Sequence, residues 1–544
     1  MIILDEFIGL VYSLRVSVIQ KRTFSSTYHR KMSLKLLKST GVVSLMTLFS
    51  RISGLVRDVI MANVLGSGSV SDAFFVAFRI PNFLRRIFGE GAFSQAFVPV
   101  YTELNEQNTQ EAKRFIAATS GRLGLIVFIL SVLGVAFAPF LIRLFAPGFV
   151  NEPDKFAITV DALRIMFPYL FFITLVAMSG AILNTLNRFA VPAATPVLLN
   201  ICLILAMLLF IDDDSNIAQI LAIAVITAGC VQLIFQLPAL KKEGVLLKPS
   251  IQSHPATKKV FTLMVPAMFG VSVAQINTLV NTILASFLVT GSVSWLYYSD
   301  RLMEFPVGVF GLALAAVVLP SLSKEHTNGT AESYSGMIDW ALRWVVMIAL
   351  PAAVALAMLA VPLLATMFQY NAFKPSDVTQ ASSSLIAYSS GVLAFVMIKV
   401  LAPGFYARQN TKTPVKIAAC AVVFNIVLSL ILIGPLKHAG LALAISLAAW
   451  LNAALLGFTL WRQSIYQPEK GWWLFCLRIG LAILIMAITI IIFRGQDDAW
   501  LAATLWTRLF MLVKVIVLAG GAYFASLYVL GLRPHQLLLN KAKP

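Results

Sequence analysis

Gly68-Ser69-Val70-Ser71 returns later in the chain as Gly291-Ser292-Val293-Ser294. Each copy follows an apolar run of membrane-spanning length and opens another that contains a proline, Pro81 in the first and Pro306 in the second. Those second runs also end alike, at Phe97-Val98-Pro99-Val100 and Val318-Leu319-Pro320-Ser321. Farther on, Asn187-Arg188-Phe189-Ala190-Val191-Pro192 is matched loosely by Gln409-Asn410-Thr411-Lys412-Thr413-Pro414, and Asn200-Ile201 by Asn425-Ile426, all at a spacing of about 222. One such match carries little weight, but several in near register mark an internal repeat. The interval holds six spans, an even number, so the two copies share one orientation. Repeats that face each other across a midplane site are a common plan for alternating-access transporters.

The rest of the composition agrees. Of 544 residues, 59% are hydrophobic and 12% are charged, with a mean hydropathy of +0.86. Soluble domains carry about a quarter charged residues, so this is an all-α polytopic membrane protein. Apolar windows of spanning length occur about fourteen times, at 40–65, 72–99, 120–146, 158–186, 190–211, 217–239, 260–289, 294–321, 339–368, 381–406, 414–434, 438–461, 472–493 and 502–531. The net charge of +18 does not indicate nucleic acid, because the basic residues sit in short loops beside apolar spans. Cys202, Cys230, Cys420 and Cys476 lie in apolar runs and read as buried small hydrophobes. With no CxxC pair and five scattered histidines, no metal site is expected.

Loop charges alternate. One set carries Lys113 and Arg114, Arg188, Lys241, Lys242, Lys248, Lys258, Lys259, Lys324, Arg408, Lys412, Arg462 and Lys470. The other set, which includes Asp212-Asp213-Asp214 and Arg494–Asp498, is poor in bases and holds several acids. The positive-inside rule then places both termini in the cytoplasm. The expected organisation is an N-terminal extension at 1–31, a first bundle at 32–240, a basic cytoplasmic loop at 241–258, a second bundle at 259–465, and two added helices with a tail at 466–544. The extension lacks the order of a signal peptide, and translation is expected to start at Met32.

The charges inside the spans are the functional signal. Arg51, Arg57, Arg85 and Arg301 fall in apolar helices, where each costs roughly 2.5 to 3.5 kcal/mol on insertion scales. Residues retained at that cost are expected to face a wet cavity, and a cationic cavity suits an anionic substrate. The planar fork of arginine pairs bidentately with a phosphate or diphosphate. Ser50, Ser53, Gly54, Ser71 and Ser294 leave room around these arginines or serve as close-packing positions. Arg51 and Asp58 lie seven apart on one helix face, so Asp58 is expected to compensate Arg51 in part. Arg301 and Glu304 share a face, as do Asp300 and Glu304, while Arg86 and Glu90 are spaced to pair. Pro81 is expected to interrupt the second span. Asp72, Asp300 and Glu304 are the candidates for gating or ion coupling. No GxxxxGK[ST], HExxH or GxSxG motif and no long soluble segment is present, so no enzyme chemistry is expected.

Phe49-Ser50-Arg51-Ile52-Ser53-Gly54-Leu55-Val56-Arg57-Asp58, Asp72 through Asn82, Leu84 through Pro99, Gly291 through Trp295, Asp300 through Pro306, and Val400 through Arg408 give residues 32–540 a specific resemblance to the MurJ (MviN) family. These are the lipid II flippases of the bacterial inner membrane, within the MOP transporter superfamily. The resemblance implies fourteen helices, with two six-helix bundles around a central cationic cavity. It implies movement of lipid II from the cytoplasmic to the periplasmic leaflet. Arg51, Arg57, Arg85 and Arg301 would face the cavity or its gate, Asp72 would sit near the periplasmic gate, and helices 472–493 and 502–531 would form a groove for the polyprenyl tail. The expected partners are lipid II, the bilayer, and cell-wall synthesis or division machinery. No cofactor is expected, and the drive is left to the membrane potential or a coupling ion. Two other readings stand beside this one, a flippase for another polyprenyl-linked glycan and a MATE-like cation-coupled exporter. The four arginines argue against the exporter, because such pumps favour acidic cavities.

Overall fold

The computed structural model describes residues 26–210 and 216–532. Most of the 1–31 extension, the acidic loop Asp212-Asp213-Asp214 and the tail from Arg533 lie outside them. Among the described residues all regular structure is helical. The first half comprises α1 (Ser26–Leu65), α2 (Ser69–Arg85), a π-helical turn (Arg86–Gly91), α3 (Ala92–Gln107), α4 (Thr109–Ala136), α5 (Ala138–Phe145), a 3-10 turn (Pro147–Asn151), α6 (Pro153–Met166), α7 (Tyr169–Thr185), α8 (Ala190–Leu209) and α9 (Ile217–Lys242). The second half comprises α10 (Pro255–Ser286), α11 (Ser292–Asn328), α12 (Ala331–Met358), α13 (Ala360–Phe368), α14 (Pro375–Ser389), α15 (Val392–Tyr406) and α16 (Lys412–Arg462). A last unit of α17 (Trp472–Arg494), α18 (Asp497–Ala502) and α19 (Leu505–Val529) follows.

Every apolar window read from the sequence coincides with helix, but the elements are not one to a window. Among the described residues nine helices are long and apolar enough to cross a membrane, and the bent pair α6 and α7 brings the number to ten. α2 is 17 residues long, short of a full bilayer crossing by itself. α16 is 51 residues long, about 75 Å at 1.5 Å per residue. It therefore holds two of the expected windows, joined at Lys437, whose φ of 51° breaks the helix. Pro81 does not interrupt α2, which runs on to Arg85. The irregularity comes one turn later, as the π-helical stretch Arg86–Gly91. A proline removes one donor, and a widened turn downstream is one way a helix absorbs it.

The repeat shows in the element starts. α4 and α12, α5 and α13, α6 and α14, and α8 and α16 each begin 222 residues apart, and α2 and α11 begin 223 apart. Backbone details follow the same interval, since Asn187 and Gln409 both take a left-handed φ, at 61° and 59°. Pro153 and Pro375 each sit in the first turn of their helix, where the missing N–H costs nothing. Packing repeats as well, with α8 against α1 in the first half and α16 against α10 in the second. The halves meet through α2 and α11 toward one membrane face and through α3 and α10 toward the other.

The last unit is pinned to the second half at both ends. Asp339 of α12, 1% exposed, accepts from Trp472 Nε1 (2.6 Å), Arg343 Nε to its other oxygen (2.7 Å), Tyr466 OH (3.0 Å) and Glu469 N (3.2 Å). At the far end Arg508 of α19 donates to the carbonyls of Ala365, Gln369, Trp500 and Leu501. A cation on the last carbonyls of α13 also opposes the negative end of that helix.

Candidate functional site

Two polar clusters lie between the halves. The deeper one is built on α1, which presents Arg57 and Asp58 in succession, 6% and 2% exposed. Arg57 Nη2 meets Asp58 Oδ1 at 2.6 Å, and Nε meets the same oxygen at 3.0 Å. Arg57 Nη1 donates to Asn200 Oδ1 of α8 at 3.0 Å. The other half arrives on α11. Arg301 Nε lies 3.3 Å from Asp58 Oδ2, and Tyr297 OH donates to Asp58 Oδ1 at 2.9 Å while accepting from Arg57 Nη2 (3.1 Å) and Arg301 Nη2 (3.3 Å). The Arg301 guanidinium also lies 4.9 Å from the centre of the Tyr297 ring, and Nη1 donates to Glu304 at 3.2 Å. One carboxylate thus gives one oxygen to the arginine of each half. A buried charge left alone is costly; the shared acid offsets that cost for the buried Arg57 and also holds Arg301, whose side chain is 36% exposed.

The second cluster lies nearer the face that carries the Gly68 and Gly291 turns. Asp72, 1% exposed, accepts from Gly291 N (2.8 Å), Ser294 N (2.9 Å) and Ser294 Oγ (2.6 Å). Helix α11 opens on Gly291, which has no side chain to cap it. Asp72 on α2 supplies that cap from the opposite half, and its charge faces the positive end of the α11 dipole. Lys155 Nζ stands 3.3 Å from Asp72 Oδ2 and 4.2 Å from the centre of the Phe149 ring, at 2% exposure. Thr290 and Glu152 hold the same ammonium at 3.1 and 3.4 Å. Ser71 Oγ and Ser294 Oγ touch at 2.9 Å. Trp295 Nε1 reaches Ser67 Oγ at 3.0 Å and Asp377 Oδ1 at 3.2 Å. The contacts of Asp72 with Gly291 and Ser294, of Ser71 with Ser294, of Lys155 with Thr290 and of Trp295 with Ser67 cross between the halves and would break if they parted on this face, whereas Lys155–Asp72 and Trp295–Asp377 each lie within one half.

The expected site residues therefore divide. Arg57 and Arg301 come together. Asp72 and Ser294 form the other cluster, so Ser294 sits with Asp72 and not with the arginine group. Arg51 does not pair with Asp58, as its spacing had suggested, because Asp58 is fully engaged by Arg57 and Arg301. Its exposed guanidinium instead lies over α11 at Gly308, where a Cβ would sit 2.1 Å from Nη1. Ser50 contributes its backbone carbonyl, which accepts from Asn200 Nδ2 at 3.2 Å. Arg85 ends α2 and donates to Asn82 at 3.1 Å. Glu304 holds Arg301, and Asp300 has Glu304, Arg301, Arg79 and Arg86 as its charged neighbours. Arg86 donates to Gln275 at 3.1 Å, and the side chain of its expected partner Glu90 is outside the described set.

Sequence reasoning missed Lys155, Tyr297 and Asn200. Lys155 follows a proline in an ordinary helix start and looks like a loop cation. Asn200 did carry a signal, since it was a landmark of the repeat. Its equivalent Asn425 bridges α16 to α10 through Asn277 Oδ1 at 2.8 Å, as Asn200 bridges α8 to α1.

Comparison with known proteins bears on this arrangement. The family model described as "Lipid II flippase MurJ" matches residues 61–511. The probable lipid II flippase MurJ of Vibrio cholerae serotype O1 is 46% identical over 93% of this chain and 98% of its own length. The lipid II flippase MurJ of Burkholderia cenocepacia is 40% identical over 92% and 98%. A solved structure titled "Lipid II flippase MurJ, inward closed conformation" superposes with a TM-score of 0.74 at 28% identity, covering 89% of this chain and 99% of that one. An inward-facing MATE family transporter of the MOP superfamily gives 0.62 at 16% identity, over 78% and 97%, which is a likeness of fold. A family match across most of the chain, close relatives of nearly equal length and a shared architecture agree: this membrane protein belongs to the MurJ family.

Proposed function

We infer that this chain is a lipid II flippase, carrying the undecaprenyl-pyrophosphate-linked peptidoglycan precursor from the cytoplasmic to the periplasmic leaflet of the inner membrane. The observation that carries the reading is the sharing of Asp58 by Arg57 and Arg301, one from each half. A diphosphate entering between the halves offers both arginines more oxygens and more charge than Asp58 does, so it can take them over. The polar head then crosses inside protein while the tail stays in lipid, which removes the cost of burying polar groups in hydrocarbon. The added helices α17 and α19 are the surface on which we place the tail.

Asp72 with Gly291, Ser294 and Lys155 acts as the latch on one face, and rocking of the repeats opens and closes it. The basic loops put the other face, and both termini, in the cytoplasm, so the latch is periplasmic. Asp72, Asp300 and Glu304 are the groups through which a coupling ion would act. The MATE likeness supports the rocking motion but not a cationic cargo, because the groups joined here are arginines.

The test is outer-leaflet lipid II in cells depleted of the protein, read with a periplasmic toxin that cleaves it. Cleavage product should vanish on depletion and return with wild type but not with Arg301→Ala. Unchanged cleavage under depletion would overturn the reading and favour a different polyprenyl-linked glycan as cargo.

A further inference from the structure

A second cationic site lies away from both clusters, on the face that carries the basic loops. A cavity of about 590 Å³ opens there between α4 and α10, with Arg122 and Lys258 at its polar end and Phe261, Val265 and Pro266 along its apolar wall. It is a shallow depression, largely open to the surface. Its walls are held in place. Thr119 Oγ1 and Thr257 Oγ1 meet at 2.9 Å across the two helices, Ser250 N donates to Ala117 O at 2.8 Å, and Arg122 Nε donates to Ile251 O at 3.3 Å. The segment leading into α10 passes so close to α4 that a Cβ on Gly121 would lie 2.2 Å from Ser250 O.

Charge pairing singles out the two cations of the cavity. Their neighbours have partners, Lys259 pairing with Glu103 at 3.5 Å and His254 Nε2 lying 3.1 Å from Glu111 Oε1. Among the described residues no carboxylate pairs with Arg122 or Lys258. Two unneutralised cations beside an apolar wall match a phosphate headgroup with acyl chains next to it. Basic pockets between membrane helices recognise anionic lipids in this way. Val265 is 54% exposed and Leu263, on the same helix, 47%, so the apolar wall continues onto the outer surface of α10.

We propose that the α4–α10 cavity is a binding site for an anionic phospholipid, whose phosphate is held by Arg122 and Lys258 and whose chains lie along Phe261, Val265 and Pro266. The site joins one helix of each half on the face opposite the latch, so a lipid seated there bridges the two halves.

The experiment is native mass spectrometry of the purified full-length protein with phosphatidylglycerol. Retention should fall roughly tenfold in Arg122→Gln/Lys258→Gln, and should stay at the wild-type level in Lys241→Gln/Lys242→Gln, which removes the same charge elsewhere. Arg122→Lys/Lys258→Arg keeps both charges and should still bind, which separates lost binding from lost folding. Equal retention by the two glutamine variants would overturn the proposal. So would equal binding of phosphatidylcholine, equal protection of the protein by inorganic phosphate alone, or displacement of the bound lipid by a polyprenyl diphosphate. The readout is binding and not transport, so its failure would leave the flippase reading untouched.

Discussion

Ser71 Oγ and Ser294 Oγ lie 2.9 Å apart, and they are the same residue of two repeats. A contact between equivalent positions puts the pseudo-two-fold axis between them, at the point where parting of the halves begins. A cysteine pair at these positions should close into a disulfide, because the touching hydroxyls bring the two Cβ atoms near bonding range. Oxidised Ser71→Cys/Ser294→Cys is expected to be inactive and to recover with reductant. Wild-type transport by the fully oxidised protein would show that this face never opens.

Lys155→Met keeps the length of the side chain and removes the ammonium beside Asp72. Stranding a buried charge costs about 3 to 5 kcal/mol, and here that cost falls on the closed arrangement. The variant should hold the latch open. A membrane-impermeant thiol reagent should label Ser294→Cys faster with Lys155→Met than without it. Unchanged labelling would mean that Lys155 only braces α6.

Gly68 and Gly291 stand at equivalent places but should respond differently to alanine. Gly291 has φ of 98°, and a Cβ there would meet the Trp295 ring at 2.8 Å. The left-handed backbone alone costs an alanine about 1 to 2 kcal/mol. Gly68 has φ of −127° and nothing within 4 Å of its Cβ position. Gly291→Ala should lower the thermal unfolding midpoint and impair transport, and Gly68→Ala should do neither.

Asp58→Asn removes the charge that Arg57 and Arg301 share. Folded stability should drop by about 3 kcal/mol or more, visible in detergent as a lower unfolding temperature, and transport should cease. Arg57→Met/Asp58→Leu, which removes both buried partners, should be the more stable of the two proteins although equally inactive. A double variant less stable than Asp58→Asn would contradict this account of the pair.

Much of this was legible in the chain. The repeat follows from residue identity at fixed spacing, and Asn187 with Gln409 shows why, since the same turn must be made twice. Span positions follow from hydropathy, which the bilayer enforces directly. Partnerships were less legible. Helix periodicity relates Arg51 to Asp58 along α1, but Tyr297 and Arg301 come from another helix and claim the carboxylate first. The trans cap on α11 could have been suspected, because a glycine at a helix start leaves its first N–H groups without a side-chain acceptor. That the acceptor is Asp72 needs the docking of the two halves.

The repeats also differ where they correspond. Lys155 and Asp377 are 222 residues apart and Asp72 and Trp295 are 223 apart, and each position of one pair touches its counterpart in the other, Lys155 on Asp72 and Asp377 on Trp295. One copy of this contact is an ion pair and the other a hydrogen bond to an indole.

Asp58 has one more consequence. An empty carrier with two bare arginines would attract any stray anion and would cycle without cargo. If these arginines receive the cargo as proposed, the carboxylate presented to both is a resident decoy in that site. A visitor must outbid that decoy for both halves at once, which a doubly charged head can do and a small monovalent ion cannot. On the proposed function, the acid that steadies the resting protein thereby sets an entry threshold for transport.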